Sequence, residues 1–575
     1  MKPITPQEIM LWKSWPDPAD QRKVMGNPLL RERLAQIEER QRDLVRHRIP
    51  ELSYYNFFEF ARTGDRLSYE RPYFIRRSIL VTHGLQCWLH KGEDPFYVEF
   101  LANIMWSVCD EYTWALPAHV HGGLEDEEYT VDLFAAETAC CLAEILHYTP
   151  ELPEIVKKRV RREIFRRVLT PFLTKEEPFP FEKMENNWCA VCGGGIGIAA
   201  IYLMKDGEGL SRVLNRVGQS MERFMNSFSE DGACLEGLSY WTYGMSFFVS
   251  YAELLLRRSG GEVDLLDSER VHQIAKFQQK CYFQGGRTLS FSDGSNKDHF
   301  HPGLTSFLRR YYRDISLPPN ECMASYDDDS CYRWVTLFRD LIWSDREISI
   351  DPLEPLSVFP DAQWWILRDG EIGVAAKGGH NGEPHNHNDI GSFLIYRGGE
   401  ELLADLGAGE YTREYFRDET RYQIFCNSSR GHSVPRVDGK EQMAGAEYRA
   451  RDVRMDEKSF SLEMAGAYPE GMLRSLRRTI TYEERGHLVL TDEIDFGGEF
   501  HEITECFISR QPFQYVNPKE IMLGSMRICA SKGLSILVDE VRQKDHQGRE
   551  EKVYAVLLSG RRRKNPVTYR VDFYF

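Results

Sequence analysis

Through roughly residue 345 the apolar positions recur with a helical period. Leu210, Val213, Leu214, Val217, Met221, Phe224, Met225 and Phe228 form an i, i+3, i+4, i+7 stripe. Val156, Val160, Ile164 and Val168 form a second, with basic residues on its other faces. Leu133, Phe134, Cys141, Leu142, Ile145 and Leu146 form a third that ends near Pro150. Such stripes predict core-facing surfaces of stacked helices, and their recurrence predicts an all-α array, a solenoid or a toroid of paired helices. The run Gly193-Gly194-Gly195-Ile196-Gly197 has neither the Lys-Ser/Thr nor the preceding strand of a nucleotide-binding loop. It reads instead as a helix packed closely on its neighbours.

A proline-rich connector, Asp351-Pro352-Leu353-Glu354-Pro355-Leu356 and then Pro360, precedes a change of period from 3.6 to 2. Trp365-Ile366-Leu367 turns through Arg368-Asp369-Gly370-Glu371 into Ile372-Gly373-Val374. Leu394-Ile395-Tyr396 likewise meets Arg397-Gly398-Gly399-Glu400. Both are hairpin signals. Further strand patterns (Leu534/Ile536/Val538, Val553 to Leu558, Tyr569/Val571/Phe573/Phe575) predict an antiparallel β-sandwich. The expected architecture is α+β and multidomain: a helical domain over residues 1–350 and an antiparallel β domain over 351–575, with the chemistry at their seam.

A chain of 575 residues suits two or three domains. Its formal charge of −16 argues against a nucleic-acid binder, although a local basic lining could still take an acidic ligand. No apolar run is long enough for a membrane span, and the N-terminus lacks the apolar core of a signal peptide, so a cytoplasmic protein is expected. The thirteen cysteines are scattered and odd in number, as suits reduced thiols. Cys189 and Cys192 read as packing residues rather than a metal or redox motif. Assembly into a homo-oligomer is left open.

The densest chemistry is Pro384-His385-Asn386-His387-Asn388-Asp389, which leads into the alternating run Phe393, Ile395. If extended, it would put His385 and His387 on one face of a strand. His387, Asp405 and His432 supply two imidazoles and a carboxylate, a first shell suited to Zn²⁺ or a similar divalent ion. The alternative is three hydrogen-bonded polar residues without a metal. His385 would then be a base, kept neutral by the adjacent cation; as an alternative it is a further ligand. In the helical half, Asp231-Gly232 through Glu236-Gly237 to Tyr240, Trp241 and Tyr243 joins a turn, a carboxylate and aromatic rings, a density typical of sugar-binding surfaces.

These residues resemble the heparinase II/III-like polysaccharide lyases. The similarity runs through His385-Asn386-His387-Asn388-Asp389-Ile390-Gly391-Ser392-Phe393 and Leu403-Ala404-Asp405-Leu406-Gly407-Ala408-Gly409-Glu410-Tyr411. It also includes Trp114-Ala115-Leu116-Pro117-Ala118-His119, Asn187-Trp188 and the Asp231 to Tyr240 segment. The resemblance implies an incomplete (α/α) toroid followed by antiparallel sheets, and β-elimination on a uronic-acid-containing glycan. It implies that the Asn187 amide stabilises the charge developing on the uronate carboxylate, and that Tyr240 and His385 share the roles of base and acid. Tyrosine acting as the base would need a lowered pKa. Tyr243 is the alternative to Tyr240. Trp114, His119, Trp188, Glu236, Tyr243, Arg421 and Arg430 are the expected substrate-binding or supporting residues. The implied cofactor is one divalent ion at His387, Asp405 and His432, zinc ahead of manganese or calcium and mainly structural. The implied partner is an acidic poly- or oligosaccharide.

Two other functions compete. A glycoside hydrolase on an α-toroid would use two carboxylates, with Glu185 and Glu236 available. A non-catalytic glycan-binding protein would keep the aromatics without needing the Tyr/His/Asn set.

Overall fold

The structure is a computed structural model that describes residues 3–10, 21–91, 94–120, 130–346, 351–483, 486–497, 501–531, 533–562 and 565–575. Helices run from Pro6–Met10 to Trp334–Trp343, and strands dominate from Leu356–Phe359 onward. The stripe from Leu210 is the buried face of helix Gly207–Asn226. The one from Leu133 is helix Leu133–Tyr148, which stops before Pro150. The Val156 stripe begins on Glu154–Ile164 and continues through a π-helical turn, Phe165–Leu169, that keeps Val168 buried.

Helix Asn187–Leu203 is buried on all sides, and its glycines explain how. A Cβ on Gly194 would come 3.1 Å from the Phe247 carbonyl, one on Gly195 2.9 Å from that of Ala136, and one on Gly197 2.5 Å from the Tyr251 ring. Only bare backbone lets the two neighbouring helices, Leu133–Tyr148 and Leu238–Arg258, close on this one. Its first residue, Asn187, is thereby held firmly.

The β half contains a five-stranded antiparallel meander: Leu356–Phe359, Trp364–Asp369, Ile372–Lys377, Phe393–Arg397 and Glu400–Leu403. Both expected hairpins are present, pairing Asp369 with Ile372 and Arg397 with Glu400. An eight-stranded and a four-stranded antiparallel sheet complete the sandwich. The meander is a middle layer with two apolar faces. Trp364, Ile366, Ala375, Leu394 and Tyr396 join the core of the helical half. Trp365, Leu367, Val374, Ala376, Phe393 and Ile395 join the sandwich core. The period of two thus places neighbours in different cores.

A short hairpin within the helical half, Tyr282–Phe283 with Arg287–Thr288, docks on this meander. Arg287 Nε donates to the Gly399 carbonyl at 2.6 Å, and Arg368 Nε to that of Tyr282 at 2.6 Å. Ser290 Oγ then reaches the Asp405 carbonyl at 3.2 Å. This docking carries the loop after the hairpin, residues 290–294, into the β half. Among the described residues no helix is long and apolar enough to cross a membrane.

Candidate active site

A cleft of about 2750 Å³ lies between the two halves. On the helical side, the Asn186 side chain caps helix Asn187–Leu203 by accepting the Trp188 N–H at 3.0 Å, which sets Asn187 at its N-terminus. Helix Leu238–Arg258 starts after Gly237, whose φ of +109° only glycine adopts easily, and presents Tyr240 and Tyr243 on one face.

His385 and His387 do not lie on a strand, contrary to expectation. They occupy the loop between His380–Asn381 and Phe393–Arg397, and His385 has a φ of +55°. Pro384 lacks a ladder donor and begins a turn here. The two rings nonetheless converge on one carboxylate that the sequence did not single out, Asp293. Its Oδ2 accepts from His385 Nδ1 at 2.6 Å and from the Tyr411 hydroxyl at 3.0 Å. Its Oδ1 accepts from His387 Nε2 at 3.0 Å and from the Tyr415 hydroxyl, with Arg421 Nη2 at 3.5 Å. Asp293 sits in an Asp-Gly dipeptide that reads as an ordinary turn, so only the docking of residues 290–294 reveals it.

Burial alone would raise the Asp293 carboxyl, but the bonds from His385 and His387 and the charge of Arg421 hold it well below the usual carboxylate range. For His385, burial favours the neutral ring, yet the bond to Asp293 and the charges of Asp293 and Glu236 outweigh it and raise the pKa. Burial pushes His387 down despite Asp293. The Tyr240 ring lies 4.5 Å from that of His385, centroid to centroid, and its hydroxyl meets the Tyr411 hydroxyl at 2.5 Å. Burial and the charge of Asp293 raise the Tyr240 pKa well above the usual phenol range. The lowered value that a basic tyrosine needs is therefore not found.

Glu236 is buried beneath these groups, with Oε2 3.5 Å from His385 Nε2. Its carboxylate also takes the Asn187 backbone N–H at the helix N-terminus, and burial raises its pKa. Glu236 thus ties Asn187 to His385. Asn187, Tyr240 and His385 all line the cleft. So do Trp188, Tyr243 and His119. His119 packs against the Trp188 ring and bonds Asp132 at 2.7 Å. The Tyr243 hydroxyl donates to Glu137.

Four expected contact residues do not line the cleft: Glu236, buried under His385, and three others. Trp114 is buried in the helical core, its indole N–H given to the Val108 carbonyl at 2.9 Å, because its flanking residues pack inward. Arg421 is also buried and braces the site from below, donating to the Asn386 carbonyl at 3.0 Å. Arg430 points away from the cleft and pairs with Glu441 at 3.2 Å. Among the described residues, Arg71, Lys297 and Arg417 are cations that line the cleft.

His387, Asp405 and His432 converge as expected, all buried, with their potential ligand atoms within 4.8 Å of one another. His387 Nε2 is used by Asp293, and His432 Nε2 by the Cys426 carbonyl at 2.7 Å. That leaves His387 Nδ1 without a hydrogen-bond partner, and His432 Nδ1 and Asp405 Oδ2 with only each other, 3.4 Å apart and poorly aligned for a bond. Unpaired polar atoms of this kind are costly unless they hold something, so the trio could bind a metal ion. The cysteines are free, and Cys189 and Cys192 are buried.

Residues 351–510 match the family model described as "Heparinase II/III-like, C-terminal". Heparinase III is similar in structure, with a TM-score of 0.61 at 13% identity over 96% of this chain and 93% of that one. The heparan sulfate lyase HepC of Pedobacter heparinus aligns with a TM-score of 0.56 at 12% identity, covering 97% and 93%. The chondroitin AC lyase of Streptomyces coelicolor A3, solved with chondroitin sulphate, gives 0.54 at 11% over 99% and 82%. No curated protein matches the sequence. These structures share with this chain the arrangement of a helical region followed by antiparallel sheets, and residues 351–510 are the part of the chain that matches the heparinase II/III-like family model.

Proposed function

We propose that this protein is a polysaccharide lyase that cleaves uronic-acid-containing glycans of the glycosaminoglycan type by β-elimination. The observation that supports this reading is that Asn187, Tyr240 and His385 line one cleft, with Glu236 linking Asn187 to His385 and Asp293 bonded to His385. The Asn187 amide would hydrogen-bond the uronate carboxylate and stabilise the charge that develops there. The His385 Nδ1–H would donate a hydrogen bond to the Asp293 carboxylate, which leaves Nε2 unprotonated as the base that takes the C5 proton. The electron pair forms the C4–C5 double bond, the C4–O4 bond breaks, and the Tyr240 hydroxyl protonates O4. The raised Tyr240 pKa supports the acid role, because the phenol begins the reaction protonated.

His387, Asp405 and His432 would hold one divalent ion, zinc being favoured by two imidazoles with one carboxylate over manganese or calcium. Its contribution would be a fixed charge that organises the loops carrying these residues. The His387–Asp293 bond is the kind of outer contact that orients a ligating imidazole. Arg71, Lys297 and Arg417 take over the role of anion binding expected of Arg421 and Arg430. We read residues 1–350 and 351–575 as the two domains that close on the substrate. A hydrolase needs two carboxylates flanking one sugar, and the burial of Glu236 under His385 weighs against it. The test is a panel of uronate polymers followed for near-ultraviolet absorbance of an unsaturated product. Absorbance on at least one is expected; a metal-loaded protein silent on all of them is not a lyase.

A further inference from the structure

Two segments of the β half cross the cleft beside Tyr411. One is the hairpin of strands Ser535–Lys544 and Glu550–Arg562. Its tip is rigid, because the Asp545 carboxylate accepts the backbone N–H groups of Gln547 and Arg549 at 2.9 Å each and Arg549 Nε at 2.8 Å. The tip is fastened to residues 409–411. Gly409 and Asp545 form an antiparallel bridge, and Lys544 Nζ lies 2.9 Å from Glu410. The His546 ring stands edge-on to Tyr411, with centroids 4.3 Å apart. The tip also approaches the helical half, since a Cβ on Gly548 would lie 3.7 Å from Leu67 Cδ1. The other segment is a strap anchored by Arg413, which donates to the carbonyls of Phe60 and, at 3.0 Å, Ala61.

Tyr411 is the hydrogen-bond partner of Tyr240, so beyond the reacting phenol there is one further phenol and then the hairpin. Lys544, Asp545, His546 and Gln547 all line the cleft. We propose that hairpin and strap wall off the cleft on this side and make the protein exolytic, trimming short unsaturated units from a chain end. The proposal rests on the lyase reading above. Hairpin residues Lys544 to Gln547 line the cleft next to the Tyr240–Tyr411 pair, where they would obstruct a continuing polymer. Because it is already ordered, it needs no loop ordering on binding. Its cations are spoken for, Lys544 by Glu410 and Arg549 by Asp545. The wall therefore suits a terminal sugar presenting hydroxyl groups rather than an uninterrupted run of anions.

The test compares product sizes at equal, low ultraviolet absorbance on a polymer that the protein cleaves. The wild type should release one short product from the first time points while the remaining polymer keeps its length. Replacing residues 545–549 by an Asn-Gly turn, and separately His546→Ala, should add intermediate lengths and shorten the polymer at the same absorbance. The single substitution serves should the shortened hairpin not fold. A broad ladder from the wild type overturns exolytic action, and an unchanged profile in the folded variants overturns the hairpin as the wall that enforces it; either leaves the lyase reading standing. No absorbance from the wild type on any polymer overturns the lyase reading and this proposal with it.

Discussion

Asp293→Asn changes one oxygen of a fully buried carboxylate into an NH₂ group, and the geometry leaves no harmless way to place it. Oδ2 faces two donors, His385 and Tyr411, and Oδ1 faces two more, His387 and Tyr415. An NH₂ toward His385 shifts the imidazole proton to Nε2 and removes the base. An NH₂ toward His387 disturbs an imidazole of the metal trio instead. The same exchange in serine-protease triads costs about 10⁴ in kcat through the wrong tautomer. A loss of about 10³–10⁴ in kcat is expected here, or about 4–5.5 kcal/mol of barrier, with little change in KM. Initial rates of unsaturated-product formation measure it, beside metal content and a thermal melt. The pH profile gives a second readout. His385 must be neutral to act as base, and Asp293 raises its pKa, so wild-type activity falls as pH drops through a value above the ordinary imidazole range. Any residual activity of the variant should persist to lower pH. A folded, metal-containing variant within tenfold of wild type, with an unmoved acid limb, would refute the assigned role of Asp293.

Tyr240→Phe should lower kcat by about 10²–10⁴ through loss of the proton donor, while Tyr243→Phe, which loses only a bond to Glu137, should cost far less; equal losses in steady-state assays would contradict this assignment. Chelation should strip one divalent ion and lower the melting temperature, by the equivalent of about 2.7 kcal/mol when free metal had stood at a hundred times its Kd; a melt indifferent to chelator, with no metal found by elemental analysis, would argue against the trio as a metal site. Arg478 joins Asp492 at 2.6 Å, Glu505 at 2.8 Å and the carbonyls of Gly391 and Ser433 inside the sandwich. Arg478→Met should therefore destabilise by about 3–5 kcal/mol, because it strands two buried carboxylates, and a denaturant titration matching wild type would contradict this.

The sequence by itself determined the secondary structure and the change from helices to sheets, because a period of 3.6 or 2 is a local property of which side chains must leave water. It also determined the glycine-rich helix, both hairpins of the meander, and the convergence of His387, Asp405 and His432, whose side chains suit few other buried arrangements. Tertiary structure alone decided which polar groups share a dry space. Asp293 lies more than ninety residues before the histidines it holds, and reaches them because a two-stranded hairpin docks on the meander at Gly399. Tyr411 meets Tyr240 from the other half of the chain. Arg421 is buried under the site on the carbonyls of Asn386 and Tyr415, and the turn at Pro384 keeps His385 off the predicted strand. Periodicity reports which faces turn inward, whereas hydrogen-bond partners and pKa shifts depend on what those faces meet, and that is set only when the two halves close.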